Sequence, residues 1–393
     1  MTPAARVQAA IELLDTIIEA AQGEAAPADR LIADYFRQRR YAGSKDRRAV
    51  RELVYTAIRH CGEVPANGRV AILALAQSDA TIPLLFDGST HGPAEIGADE
   101  IVAEPGIAPE WLMQRLAASN VSPEDAAALL DRAPLDIRVN TLKSDRSNID
   151  LPKAGEYLSV PQGLRFENGT QVDQWVAYVQ GLIEIQDHGS QLACYAANVL
   201  SGETVVDLCA GAGGKSLALA AAMENQGRLI ACDTDKRRLG NLPPRAERAG
   251  ADVIETLLLN PNAELAALDG LIGAADCVFV DAPCSGTGTW RRKPEVKWRL
   301  TPERLKRYSD LQDHVLDVAA QLTRPGGRIV FVTCSVLDEE GADRAAAFLA
   351  RHPAYQAVET GLGIGREHGS GWRLTPSHDG TDGFFVAKFL LPC

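Results

Sequence analysis

The sequence predicts an α/β protein: a mostly parallel sheet with helices on both faces, preceded by a helical stretch and a small α+β segment. Three observations carry this. The chain has 393 residues, too many for one ordinary core at roughly 100–200 residues per domain. Its first 62 residues repeat apolar side chains at helical spacing. From about residue 186 short β-rich runs alternate with helical ones, the grammar of strands buried on both faces and joined by helices. The boundaries read as 1–130 helical, 131–185 α+β and 186–393 α/β.

In order, Ile11, Leu14, Ile17 and Ile18 mark a first helix, 28–39 a second, and a third follows Ser44 to about 61. Pro65, Asn67 and Gly68 interrupt the pattern. Short helices are expected over 68–77 and 109–131, with a Gly-, Pro- and acid-rich loop over 87–106 between them. Residues 136–142 alternate like a strand, and 155–167 read as short strands with turns. Strands are then expected at 204–207, 228–232, 253–257, 276–280 and 328–333. Helices are expected at 188–199, 215–222, 236–249, 302–322 and 339–350.

Composition excludes whole classes. An apolar fraction of 46% with 23% charged residues is ordinary for a globular chain, not a disordered or fibrous one. The apolar run 217–223 falls far short of the ~18 residues a membrane span needs. Residues 1–10 carry no apolar secretory core, so a cytoplasmic monomer without a membrane partner is expected. Eight cysteines include no Cys-x-x-Cys pair, so no metal is expected. The net charge of −12 hides two basic stretches. Residues 36–59 hold eight Arg/Lys against two acids, and 281–310 hold eight against four. Such patches suit either a nucleic-acid footprint or a solvated helix face.

Ligands of parallel sheets bind at the carboxyl ends of strands, and the chemistry-bearing motifs all lie there. The first is Asp-Leu-Cys-Ala-Gly-Ala-Gly-Gly-Lys-Ser over 207–216. A phosphate-binding P-loop would need glycine where Cys209 stands, and a dinucleotide fingerprint would need glycine at Ser216. A short Gly-rich turn after the first strand with an acid, Asp233, ending the second suits S-adenosyl-L-methionine. A carboxylate there can accept both ribose hydroxyls. A tight turn without ligand is the competing reading, and Asp233 weighs against it.

The fourth strand ends in Asp-Ala-Pro-Cys-Ser-Gly-Thr-Gly over 281–288, the fifth in Thr-Cys-Ser over 333–335. A single buried cysteine is usually packing; two at strand ends beside such a loop suggest chemistry. A thiolate is needed to methylate carbon 5 of cytosine: adding to C6, it makes C5 nucleophilic. Methyl transfer to an amino nitrogen needs no thiol. Which of Cys284 and Cys334 attacks is open on this evidence from residues alone.

These motifs resemble the Sun/Fmu family of RNA cytosine-5 methyltransferases, including its bacterial 16S rRNA methyltransferase B group. The resemblance runs through RVNTLK at 138–143, QDHGSQ at 186–191, the loop at 209–215, the two cysteine motifs and TDGFF at 381–385. GSKDR at 43–47 resembles a NusB-like RNA-binding segment. The resemblance implies a Rossmann-like class I methyltransferase domain with a mostly parallel seven-stranded sheet. It implies that Cys334 is the nucleophile, that Cys284 assists product release, that Asp281 meets the cytosine edge, and that Lys215 lies near base and cofactor. It places the cofactor on Cys209, Ala210, Gly211, Ala212, Gly213, Gly214, Lys215, Asp233, Asn260 and Asp281. The chain departs from the family at three points: Ala212 stands for proline, Asn260 for an acid, and 338–341 reads Asp-Glu-Glu-Gly.

Basic and aromatic residues interleave over 290–298. Arg291, Arg292, Lys293 and Lys297 are candidate phosphate ligands, with tryptophan stacking on unpaired bases; a loop that packs its tryptophans inward is the alternative. The expected partner is RNA, first of all 16S rRNA. Another rRNA site or a tRNA is the rival substrate, and a non-catalytic assembly factor on the same fold the rival class.

Overall fold

The computed structural model describes residues 1–23 and 26–393. They form two compact units, Met1–Asp131 with Thr289–Thr301, and Arg132–Gly288 with Pro302–Cys393. The short segment Thr289–Thr301, expected from sequence in the sheet domain, belongs to the helical unit. The α+β segment clusters with the sheet.

In the helical unit, the helix Pro3–Gln22 starts at Thr2, whose hydroxyl accepts from the Ala5 N–H at 3.1 Å, with proline in its first turn. Val7, Leu14 and Ile17 on its inner face are buried against Ser44–His60 and Gly68–Ala74. The crossing at Gly68 is tight: a Cβ there would lie 2.2 Å from the Ile11 carbonyl oxygen, which only glycine tolerates. Trp298 joins this core and donates its indole N–H to the Cys61 carbonyl at 3.3 Å. The expected helix over 109–131 is two short ones, Glu110–Ala118 and Pro123–Ala128, because Pro123 opens a new helix on the Ser122 cap.

The second unit begins with a small antiparallel sheet of β1 (Leu135–Val139), β2 (Glu156–Tyr157), β3 (Gly163–Phe166) and β4 (Ile183–Ile185), in the order β2-β3-β1-β4. Ile137, Leu164, Phe166, Trp175 and Ile183 fill its core. The main sheet follows with β5 (Thr204–Asp207), β6 (Arg228–Asp233), β7 (Ile254–Leu258), β8 (Ala275–Asp281) and β9 (Thr323–Thr333). It ends with β10 (Gln356–Val358), β11 (Arg366–His368), β12 (Gly371–Leu374) and β13 (Phe384–Leu390).

The main-sheet order is β11-β12-β13-β9-β8-β5-β6-β7, with β10 also on β13. The five strands β5 to β9 pair in parallel. β13 pairs antiparallel to β9, and β10 to β12 extend that edge. The sheet thus has nine strands among the described residues, not the expected seven: the five parallel ones, β13 and three short ones within 356–374. Val205, Val278, Phe279, Val280 and Phe331 are fully buried, as strands covered on both faces require. From β5 the chain winds one way to β6 and β7, then returns to β8 and β9 on the other side. That reversal opens a crevice at the carboxyl ends of β5 and β8.

Candidate active site

The turn after β5 is shaped by two left-handed glycines, Gly211 at φ 57° and Gly213 at φ 81°. A Cβ on Gly213 would strike the Leu242 side chain at 1.9 Å. The turn therefore folds flat onto its neighbour, and Gly214–Ala222 starts as a helix from Gly213. Ala210 N–H bonds the Cys232 carbonyl at 2.8 Å, and the Ala212 carbonyl accepts from Arg245 at 2.7 Å. Gly211 N–H donates to the Asp233 carboxylate at 2.8 Å, and Asp235 N–H to its other oxygen at 2.7 Å. The acid that ends β6 is thereby held against the glycine turn.

A cleft of about 440 Å³ lies over these strand ends. Of the residues expected at the site, it is lined by Cys209, Asp233, Asp281, Cys284 and Cys334. Lys215 reaches in from the first turn of its helix and donates to Asp281 at 2.6 Å. Burial alone would lower the pKa of its ammonium; the Asp281 carboxylate more than reverses this, and the net shift is upward. Beneath the turn, Asp207 is fully buried and accepts from the Ser216 hydroxyl at 2.6 Å. Burial pushes its carboxyl up to about 7.

Cys284 and Cys334, 50 residues apart in sequence, stand Sγ to Sγ at 3.3 Å. Their loops are stitched together: Gly288 N–H donates to the Cys334 carbonyl at 3.0 Å, and Gly383 N–H to the Gly288 carbonyl at 2.8 Å. The hydrogen bond to Cys334, then burial, then negative charge on Cys334 and Glu340 push the Cys284 thiol well above its ordinary value. Two sulfur anions at this separation would repel strongly, which disfavours a doubly ionised pair.

Three expectations need correcting. Asn260 is exposed and does not line the cleft; its neighbour Leu259 does, together with Glu264. Glu264 accepts from the Asn262 N–H at 2.9 Å and pairs with His314 at 3.0 Å. Arg291 is 6% exposed and Lys297 fully buried, both inside the helical unit. Lys297 donates to the carbonyls of Ile107 at 2.8 Å and Arg59 at 3.4 Å, so neither side chain is presented to a phosphate. Trp290 and Trp298 are buried beside them. Arg292 is half-buried, and Lys293 alone of the four is exposed. Sequence reasoning also missed Tyr308 and Arg238 in the cleft wall. Both sit on helix faces whose apolar periodicity gives no sign of them.

The family model described as 16S rRNA methyltransferase RsmB/F matches residues 195–390, which hold the whole cleft. The ribosomal RNA small subunit methyltransferase B of Erwinia tasmaniensis is 32% identical over 299 residues. The chain belongs to the RsmB/F methyltransferase family. That match covers 72% of this chain and 66% of the relative, so the chain spans a little under two thirds of the relative's length. The Bacillus subtilis protein called probable ribosomal RNA small subunit methyltransferase B is 29% identical, over 71% and 65% of the two chains. Among solved structures, a methyltransferase homologue from Pyrococcus horikoshii has a TM-score of 0.58 at 25% identity, over 72% of this chain and 99% of its own. The crystal structure of PH0851 superposes over 99% of both chains with a TM-score of 0.76 at 22% identity. That likeness concerns fold.

S-adenosyl-L-methionine is the cofactor of the RsmB/F fold, and the cleft's donor set suits it. The molecule carries a cationic sulfonium, a ribose diol and an adenine ring. Asp233, Glu264 and Asp281 offer carboxylates, and Leu208, Leu259 and Val315 offer apolar walls. The backbone of Cys209–Gly214 and the Asp233 side chain are the groups that would hold it. Among the described residues no cluster of His, Cys, Asp or Glu is placed to hold a metal ion, and no helix is long and apolar enough to cross a membrane.

Proposed function

We propose that the protein methylates carbon 5 of a cytosine in RNA, first of all in 16S rRNA, through a covalent cysteine adduct. The observation that carries this reading is the pair of thiols at 3.3 Å in one cleft with Asp281, whose carboxylate Lys215 holds at 2.6 Å. Amino-group methylation has no use for such a pair. Cys334 is the nucleophile, the role the resemblance implies, and its sulfur adds to C6; Cys284, whose thiol its contact with Cys334 and burial push well above its ordinary value, is the partner that keeps a proton. Asp281, held by Lys215, meets the N3 edge and stabilises a proton there as charge builds on the ring. S-adenosyl-L-methionine supplies the methyl group. Loss of the C5 proton then lets the C6–sulfur bond break, and the proton on Cys284 serves that departure.

RNA is the substrate class that the names of the relatives suggest, and the charge distribution supports it. Arg40, Lys45 and Arg48 are exposed on the helical unit, as is Lys293, with Tyr41 beside Arg40 exposed at 74%. Cation and aromatic together suit phosphates and unstacked bases. The target base must leave any stack to reach a half-buried thiol.

The test is a denaturing gel with labelled rRNA and cofactor. Cys284→Ala should accumulate a covalent protein–RNA complex, since attack proceeds but release fails. Cys334→Ala should give neither adduct nor product. An adduct in Cys334→Ala with none in Cys284→Ala would reverse the two roles, and full activity in Cys334→Ala would remove the covalent mechanism.

A further inference from the structure

Behind the two thiols lies a buried carboxyl with no part in the chemistry above. Glu340 is fully buried in the short turn Asp338–Glu340 that follows the Cys334 loop. In sequence its stretch reads as the start of a helix. In the structure its side chain turns inward and meets the residue after Cys284. The Ser285 N–H donates to one Glu340 oxygen at 2.7 Å, and the Ser285 hydroxyl donates to the other. Gln312, on the helix Pro302–Leu322, donates to the same carboxyl at 3.3 Å and to the Pro283 carbonyl at 2.9 Å. Glu340 thus holds the residue after Cys284 directly, and Gln312 ties the residue before it to the same carboxyl.

The Cys334 loop is tied into the same cluster. The Ser335 hydroxyl lies 2.9 Å from the Thr287 hydroxyl and 3.5 Å from that of Ser285. Thr287 accepts from the Val336 N–H, and Ser335 from the Leu337 N–H, each at 3.1 Å. Ser285, Thr287, Ser335, Gln312 and Glu340 are all buried. Such a group is costly to bury and strong once its donors are met. It sits directly under the contact whose length matters most, that between the two sulfurs.

We propose that Glu340 is a positioning residue: it braces the loop after Cys284 to the loop after Cys334 and so sets the separation of the two thiols. This rests on reading those thiols as the reactive pair. It needs neither RNA nor methyl transfer to be tested. The geometry of the brace, not its charge, is what matters. A glutamine at 340 can accept from the Ser285 N–H through its oxygen and donate to the Ser285 hydroxyl through its amide, because that hydroxyl can turn.

The probe is phenylarsine oxide, which condenses with two adjacent thiols to give two As–S bonds and one water, and resists excess monothiol only when both sulfurs hold it. The wild-type protein should take up the arsenical in this resistant form, and Cys284→Ala should lose it. Glu340→Ala should weaken resistant capture by about tenfold, as loss of its buried hydrogen bonds predicts, with cofactor affinity unchanged. Glu340→Gln should stay within about twofold of wild type, since its hydrogen bonds can re-form. Should Glu340→Ala not fold, Ser285→Ala removes one link and should lower capture by roughly threefold. Wild-type capture that a monothiol reverses, Glu340→Ala or Ser285→Ala capturing as tightly as wild type, or Glu340→Gln falling as far as alanine would each overturn the brace. Failure of every RNA to be methylated, with this pattern intact, would instead sink the proposed reaction alone.

Discussion

Lys215, half-buried, and Lys297, fully buried, are lysines from the two units, and they have opposite fates. Lys215 lies in the sheet unit against a carboxylate at 2.6 Å, which keeps it charged. Lys297 lies in the helical unit with backbone carbonyls for partners, and burial pushes its ammonium down to about 7. Both belong to stretches that looked functional in the sequence. The difference teaches that a strand end and a charge run are unequal signals. A residue one position into a helix after a parallel strand has its direction fixed by the sheet. A lysine in an irregular basic segment has no such constraint, and its aliphatic stem can be drawn into a neighbouring core.

The sharpest way to break this comparison is to remove each ammonium. Lys215→Met should lower kcat/KM for RNA methylation by roughly 100-fold or more, the scale seen when a charge at a reacting centre is deleted. Lys297→Met should leave kcat/KM within about twofold, because a buried, carbonyl-bound amine touches no reacting group. Equal losses in the two variants, measured by transfer of labelled methyl, would mean that the burial of Lys297 is no guide to its role.

A second experiment sharpens the RNA side. Replacing Arg40, Lys45 and Arg48 together by alanine should flatten the salt dependence of RNA binding, by roughly 0.7 in log–log slope for each single-strand phosphate that is no longer neutralised. Lys297→Met should keep the parental slope. A parental slope in the triple variant would show those three cations to be solvated surface.

The smallest effects lie in stability against pH, where the two units should respond with opposite sign. Folded Asp207 holds its proton up to about 7 against an ordinary value of 3.8. Between those values the unfolded chain has already lost that proton, so the sheet unit's stability falls as pH rises and is level above 7. Folded Lys297 gives up its proton near 7 against an ordinary 10.5. Above 7 the unfolded chain binds the extra proton, so the helical unit's stability rises with pH toward 10.5. Asp207→Asn should flatten the first trend and Lys297→Met the second, each by several degrees in midpoint across its window. Thermal scans whose pH trends are untouched by either substitution would refute the assignment.

The sequence made the parallel half of the sheet legible because each strand there is a short β-rich run closed by a turn. The run 204–207 matches β5 residue for residue, and Asp233 and Asp281 end β6 and β8. The convergence of Cys284 and Cys334 followed from the same logic, since neighbouring parallel strands bring their ends together. Illegible were β10 to β12, whose three or four residues lie among glycines such as Gly361, Gly363 and Gly365 and show no alternation. That Glu264 lines the cleft was hidden because it opens a helix of only four residues, Glu264–Ala267, too short to show a period. Glu340 read as the start of a helix because nothing in a linear order says that a carboxyl turns inward to find Ser285.

The helical unit's composition from two stretches of chain bears on how the molecule is made. Its first stretch leaves the ribosome early, yet Trp298, which joins its core, and the buried Trp290 of the same segment follow only after most of the parallel strands have been synthesised. The amino-terminal unit therefore cannot finish folding first, although order of synthesis would favour it. Three covalent passages, at 131/132, 288/289 and 301/302, join the units where a simple tandem arrangement has one. A truncation at the first of them would strand two tryptophans in water on the remaining piece. Neither unit is a module that recombination could lift out by a single cut.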